Sequence, residues 1–226
     1  MEKLCYLLFH EPEFAGSALR QALLEKAVPA LRASGAREIT LHVQDEDVAA
    51  GQPLRRSDPP IRAMVSLWLH DSDERVACEA ALGPHARRLA GYLVLESRPL
   101  VHEAPLGLRT PGTNQVTCIA RKPGLDQAEF IRIWHGDHRA VAIETQSTTG
   151  YVRNEIVRPL TPDAPPWAAI VEETFPIGAL TDPKVFYAAK SDDDLRDRMQ
   201  RMITSCQRFL DFEPMEYTHM SEYYLG

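Results

Sequence analysis

Residues 115–145 read QVTCIARKPGLDQAEFIRIWHGDHRAVAIET, which sets a strand, a break and a helix in immediate succession. Gln115 to Arg121 is an apolar, strand-like run, Pro123-Gly124 is the break, and Asp126 to about Thr145 has helical periodicity. At about 100° per residue, Phe130, Trp134, His138, Val141 and Thr145 share one half of that helix, with Ile131, Ile133 and Asp137 on its flanks. His135 falls toward the edge of this face, and Arg132 and Arg139 point away. Downstream, Tyr151 to Val157 is a strand, a loop ends at Pro165-Pro166, and Ala168 to Phe175 is a further strand. A long helix from Asp192 to Leu210 and a last strand from Met215 to Tyr224 follow. The triplet Asp192-Asp193-Asp194 suits a helix N-terminus electrostatically.

The same order stands once before in the chain. Leu4 to Phe9 is a strand, Pro12 lies in the break, and a helix runs from Ser17, a suitable N-cap, to Ala33, with Gly35 just past its end. Glu38 to Val43 is a strand, and a polar loop ends at Pro59-Pro60. Along Ile61 to Leu69 every second residue (Ile61, Ala63, Val65, Leu67, Leu69) is apolar. A helix from Asp73 to Leu82 and a strand from Leu89 to Leu95 complete the set. Trp68 sits opposite the apolar face of its strand and is expected under a helix. Pro12 and Pro123 are 111 residues apart, and the two Pro-Pro pairs are 106 apart.

Each half therefore spells β-α-β-β-α-β, the ferredoxin-like plan, in which two helices cover one face of a four-stranded antiparallel sheet. The uncovered face is expected to be apolar and to pack on its sister. The fold class is α+β: two tandem ferredoxin-like repeats packed sheet to sheet as an α/β barrel within one chain. The divisions are a degenerate repeat at 1–96, a linker at 97–114 and a second repeat at 115–226.

Composition narrows the function. The 226 residues are 44% hydrophobic and 25% charged, ordinary for a globular protein with a real core. No apolar run approaches a membrane span, and no secretory leader is signalled. The net charge of −7 argues against an electrostatic nucleic-acid binder. None of Cys5, Cys78, Cys118 and Cys206 forms a C-x-x-C pair, which fits a reduced, cytoplasmic protein with neither a zinc ribbon nor a redox motif. No nucleophile elbow, P-loop or dinucleotide fingerprint is present, so no cofactor is expected. His135 and His138 could share a metal only with a third ligand that the sequence does not supply, so no metal is expected either.

His138 is the residue most open to a chemical role. It is aimed at the sheet from the covering helix, Trp134 precedes it by one turn, and the next strand supplies Tyr151, Arg153 and Asn154. The bland alternative is a hydrogen-bonded core histidine. Glu172 and Glu173 are adjacent in a strand, so they face opposite sides and cannot act as a pair.

Arg121-Lys122-Pro123-Gly124-Leu125, Phe130, Trp134-His135-Gly136-Asp137-His138 and Gly150-Tyr151 together resemble the EthD family of the dimeric α/β-barrel superfamily. The resemblance covers roughly residues 115–220 and is only topological over 1–96, whose first helix has neither histidine nor tryptophan. It implies a ferredoxin-like barrel with one pocket per chain, the family histidine at His138 and its aromatic partner at Trp134. The implied activities are cofactor-free ones: cyclase, dehydratase, decarboxylase or monooxygenase. On this reading His138 is general acid or base, and Trp134, His135, Tyr151 and Asn154 contact a small apolar or aromatic ligand. A non-catalytic binding or accessory barrel is the alternative, and a homodimer stays compatible with either.

Overall fold

The computed structural model describes residues 1–226. Eight strands form it: β1 Glu2–Phe9, β2 Arg37–Val43, β3 Ile61–Leu69, β4 Arg88–Leu100, β5 Thr113–Arg121, β6 Gly150–Pro159, β7 Ala169–Phe175 and β8 Leu210–Tyr224. All pair antiparallel and close into a barrel in the order β1-β3-β2-β8-β5-β7-β6-β4. Within each half the order is alike, β4-β1-β3-β2 and β8-β5-β7-β6. The halves are joined by edge hydrogen bonding at two seams. One runs from Thr40 opposite Tyr224 to Val43 opposite Ser221, and the other joins β4 to β6. Closure thus leaves no free sheet edge.

Helices at residues 16–33, 76–82, 127–145 and 192–206 lie outside the barrel. Ser17 does not cap the first of these. The helix starts one residue earlier, at Gly16, and no side chain caps it. Gly35 takes φ +85°, the left-handed turn read from its position. The long helix ends at Cys206, short of Leu210, which already belongs to β8. Between β7 and this helix, the turns Ile177–Leu180 and Pro183–Phe186 have no counterpart in the sequence reading. No helix is long and apolar enough to cross a membrane.

Strand alternation sends one set of side chains to the helices and the other into the lumen. In the first half the helix-facing set (Leu4, Tyr6, Leu8, Leu41, Val43, Ala63, Val65, Leu67) is fully packed with Leu19, Leu23, Leu31 and Leu82. Trp68, being on the other set, points into the lumen and lines a polar cavity at its end. Its expected place under a helix is wrong because the alternating apolar face is the helix-covered one.

The lumen is not uniformly apolar. One end is, with Leu7, Phe9, Met64, Tyr92, Val116, Ile170 and Met220 in contact. The other end is ionic. Lys3 Nζ lies 2.5 Å from Glu96 and 3.5 Å from Glu172, and donates to Asn154 Oδ1 at 2.8 Å. His42 Nε2 sits 3.3 Å from both Glu172 and Glu222. Burial opposes ionisation of Glu222, but the His42 and Thr110 hydrogen bonds hold its carboxyl at about 2. Closure makes the Glu172 contacts available, because β7 faces β1 and β2 across the lumen, whereas His42–Glu222 and Lys3–Glu96 join neighbouring strands.

Candidate functional site

The 127–145 helix opens at Asp126, whose carboxylate accepts from the Glu129 backbone N–H at 2.8 Å. Arg132–His138 then widens into a π turn before α-helix resumes at Arg139. In a regular α-helix, residues four apart drift by about 40° around the axis. The wider turn absorbs that drift and keeps Phe130, Trp134, His138 and Ala142 buried on the sheet side. Ala142 therefore occupies the place the regular spacing gives to Val141, which is only half-buried.

Between this helix, the 192–206 helix, the 177–186 turns and the outer face of the second-half strands lies a cavity of about 700 Å³. It is mostly apolar. Ile119 and Val171 are in the floor, Met202 and Phe209 in the roof, and Phe186 and Tyr187 at the side. Met199, Ile203 and Phe212 form an exposed apolar rim.

Three expected site residues meet here. The Trp134 Nε1–H donates to the Tyr151 hydroxyl at 3.0 Å, and both residues and His138 border the cavity. His138 Nδ1 shares a 2.9 Å hydrogen bond with the Ser205 hydroxyl, and its ring lies 4.7 Å from that of Phe209. Burial, reinforced by the Arg153 and Arg208 charges, pushes this imidazole down to about 4, so it is neutral near neutral pH. His135 stacks edge-on against Trp134 at 4.8 Å and does not border the cavity. Asn154 is not brought to the site: three residues from Tyr151, it must face the other side of β6. It is fully buried in the lumen, donating to Glu172 at 2.7 Å. Arg153 shares the Tyr151 face, with its guanidinium carbon 5.7 Å from the Trp134 ring centre. No group of three or more His, Cys, Asp or Glu side chains converges as metal ligands.

Sequence reasoning missed Glu173. It points into the cavity, while Glu172 points into the lumen, as alternation requires. The Glu173 carboxyl has no hydrogen bond or ion pair to the protein, and burial raises it to about 7. Gln115 and His219 flank the same floor, with the His219 imidazole pushed by burial to about 4. Cys206 also borders the cavity, but burial and Glu173 raise its thiol to about 12, so it is no thiolate.

The EthD domain matches residues 122–213, which contain the covering helix, Glu173 and the roof helix, so the resemblance drawn from the Pro-Gly break and the Trp134–His138 pair holds for the second half. No curated protein matches the sequence. Among solved structures, an anthrone oxidase-like protein superposes with a TM-score of 0.54 at 10% identity, covering 100% of this chain and 94% of its own. A candidate monooxygenase from Lactobacillus acidophilus NCFM gives 0.49 at 7% identity, covering 100% and 96%. A chlorite dismutase from Candidatus Nitrospira defluvii gives 0.47 at 12%, covering 97% and 91%. At 10% identity the first of these shows a likeness of fold alone.

Proposed function

We propose that the second half is the functional one and that its cavity binds a small apolar or aromatic organic molecule for cofactor-free proton-transfer chemistry. The chain is on this reading a tandem of two ferredoxin-like repeats, the first of which serves as scaffold. The observation that carries the reading is the cavity itself: about 700 Å³, apolar in its walls, with His138, Tyr151 and Glu173 at its surface. That is the size and lining of a small-molecule site. Trp134 is a wall and fixes the Tyr151 hydroxyl. Neutral His138, held through Nδ1 by Ser205, offers Nε2 as acid–base or orienting group. The free cysteines, three of the four buried, suit a reducing compartment.

A neutral aromatic probe tests the site without knowledge of the natural ligand. Fluorescence titration with 2-methoxynaphthalene should show saturable binding with a Kd of roughly 10–100 μM. Thr117→Phe, which fills the middle of the floor, should weaken it by about tenfold or more. Absence of saturable binding, or indifference to Thr117→Phe, would overturn the reading. Binding without turnover of any ionisable aromatic would leave a carrier protein.

A further inference from the structure

The cavity floor carries a row of polar side chains whose order the strand register fixes. Tyr151 on β6 lies opposite Glu173 on β7, Glu173 opposite Gln115 on β5, and Gln115 opposite His219 on β8. All four border the cavity. Adjacent strands are about 4.8 Å apart, so the row runs for roughly 14 Å.

Three of its four members are tied down from behind. The Tyr151 hydroxyl accepts from Trp134 and keeps its own proton to donate. The Gln115 amide nitrogen donates to Thr117 Oγ1 at 3.2 Å, which leaves its carbonyl oxygen. His219 Nδ1 rests 3.5 Å from the Thr113 hydroxyl. Glu173, in the middle, receives nothing. The contrast with its neighbour is sharp, since Glu172 is matched by Asn154, Lys3 and His42. Glu173 is half-buried, and a carboxylate turned into a mostly apolar cavity without a protein donor is disfavoured, so it calls for a donor from whatever fills that space.

We infer that Glu173 is the residue that receives the ligand, and that the ligand is an apolar molecule with a weakly acidic O–H or N–H on one edge, presented to Glu173 between Tyr151 and Gln115. The inference rests on the cavity reading above and adds the ligand's chemistry and the acceptor. When a proton is transferred, the ligand O–H or N–H bond breaks and the proton joins a Glu173 carboxylate oxygen. The electron pair stays on the ligand heteroatom, where the Tyr151 O–H can meet it. One negative charge is present before and after, moved from protein to ligand. Glu173 is then the proton acceptor at neutral pH, because it titrates there, whereas His138 holds its proton only in acid. His138 becomes an orienting wall group.

The test compares 2-naphthol with 2-methoxynaphthalene, in which a methyl group replaces the donor hydrogen, by fluorescence titration between pH 5.5 and pH 8.5. In the native protein, naphthol should bind about tenfold tighter than its methyl ether at the alkaline end, as a hydrogen bond to a charged acceptor requires. The preference should shrink toward acid with a midpoint near pH 7. In Glu173→Gln it should be small and independent of pH. Equal binding of the two probes, or a preference that Glu173→Gln leaves intact, would overturn the inference while the cavity reading stands. If neither probe binds, both fall. Carbon-13 NMR of the carboxyl groups gives a check that needs no ligand: one glutamate should titrate near pH 7 in the native protein, and that signal should vanish in Glu173→Gln.

Discussion

The helix-facing surfaces of the two halves are built on the same strand order and filled in opposite ways. In the first half a row across the sheet runs Leu41, Val65, Tyr6, Gly91. Its one polar atom, the Tyr6 hydroxyl, is taken by Glu79 at 3.4 Å. In the second half a row reads Tyr151, Glu173, Gln115, His219, and the helices stand off far enough to leave a cavity. Both covering helices contain a π turn, Leu23–Ala27 and Arg132–His138, so the π turn does not account for the difference. The added turns at 177–186 and the exchange of aliphatic for polar floor residues do. One scaffold thus devotes its first half to packing and leaves its second incompletely filled, the arrangement expected where binding competes with stability.

Truncation should break the symmetry of the comparison most strongly. Leu67→Ala in the sealed half should lower unfolding free energy by about 2–5 kcal/mol. Met199→Ala, at the cavity rim and 36% exposed, should cost less than about 1 kcal/mol. Equal losses in urea denaturation would mean that the second half is as tightly packed as the first.

The pH dependence of stability sharpens the contrast. Glu173 is raised in the folded state to about 7 from an ordinary 4.5, so its contribution is fully present below pH 4.5 and is lost as pH rises through 7. Replacing it by Gln should therefore leave stability unchanged in mild acid. Above pH 8 the variant should be the more stable, by at most about 3 kcal/mol, since the half-buried side chain is partly screened. A melting-temperature difference that does not change with pH would show that the carboxyl is already paired. His138 acts in the other sense: its depressed value stabilises the fold above pH 6.5, and that stability is lost as pH falls through about 4.

A modest effect is expected at Ser205. Ser205→Ala removes the partner of His138 Nδ1 and should cost about 1 kcal/mol at pH 7, read from chemical denaturation. The pH midpoint of the naphthol preference should not move, because Glu173 sets it. A shift would return the proton-transfer role to His138.

Much of the barrel could be read from the chain because its signals are local. The alternation along Ile61–Leu69 and the punctuation at Pro12, Pro123 and the two Pro-Pro pairs need no tertiary information. What a strand face meets is not local. The alternation separates Glu172 from Glu173 but does not say which is matched, since the partners of Glu172, Lys3 and His42, lie far away in sequence. Trp68 went astray for the same reason, and the charged end of the lumen depends on pairs as distant as His42 and Glu222. Asn154 is a different matter, for its odd spacing from Tyr151 already placed the two on opposite faces. The π turn, which exchanges Val141 for Ala142, leaves no mark in a residue pattern.

Strand β8 pairs with β2 at one seam and with β5 on its other side. During synthesis every other strand is made before it, so the ring stays open and β2 and β5 each wait with an unsatisfied edge. Tyr217 and His219, which border the cavity, arrive on that same strand. Ring closure and completion of the cavity floor are consequently one event, and a nascent chain halted before residue 210 would present two adhesive edges and an unfinished cavity.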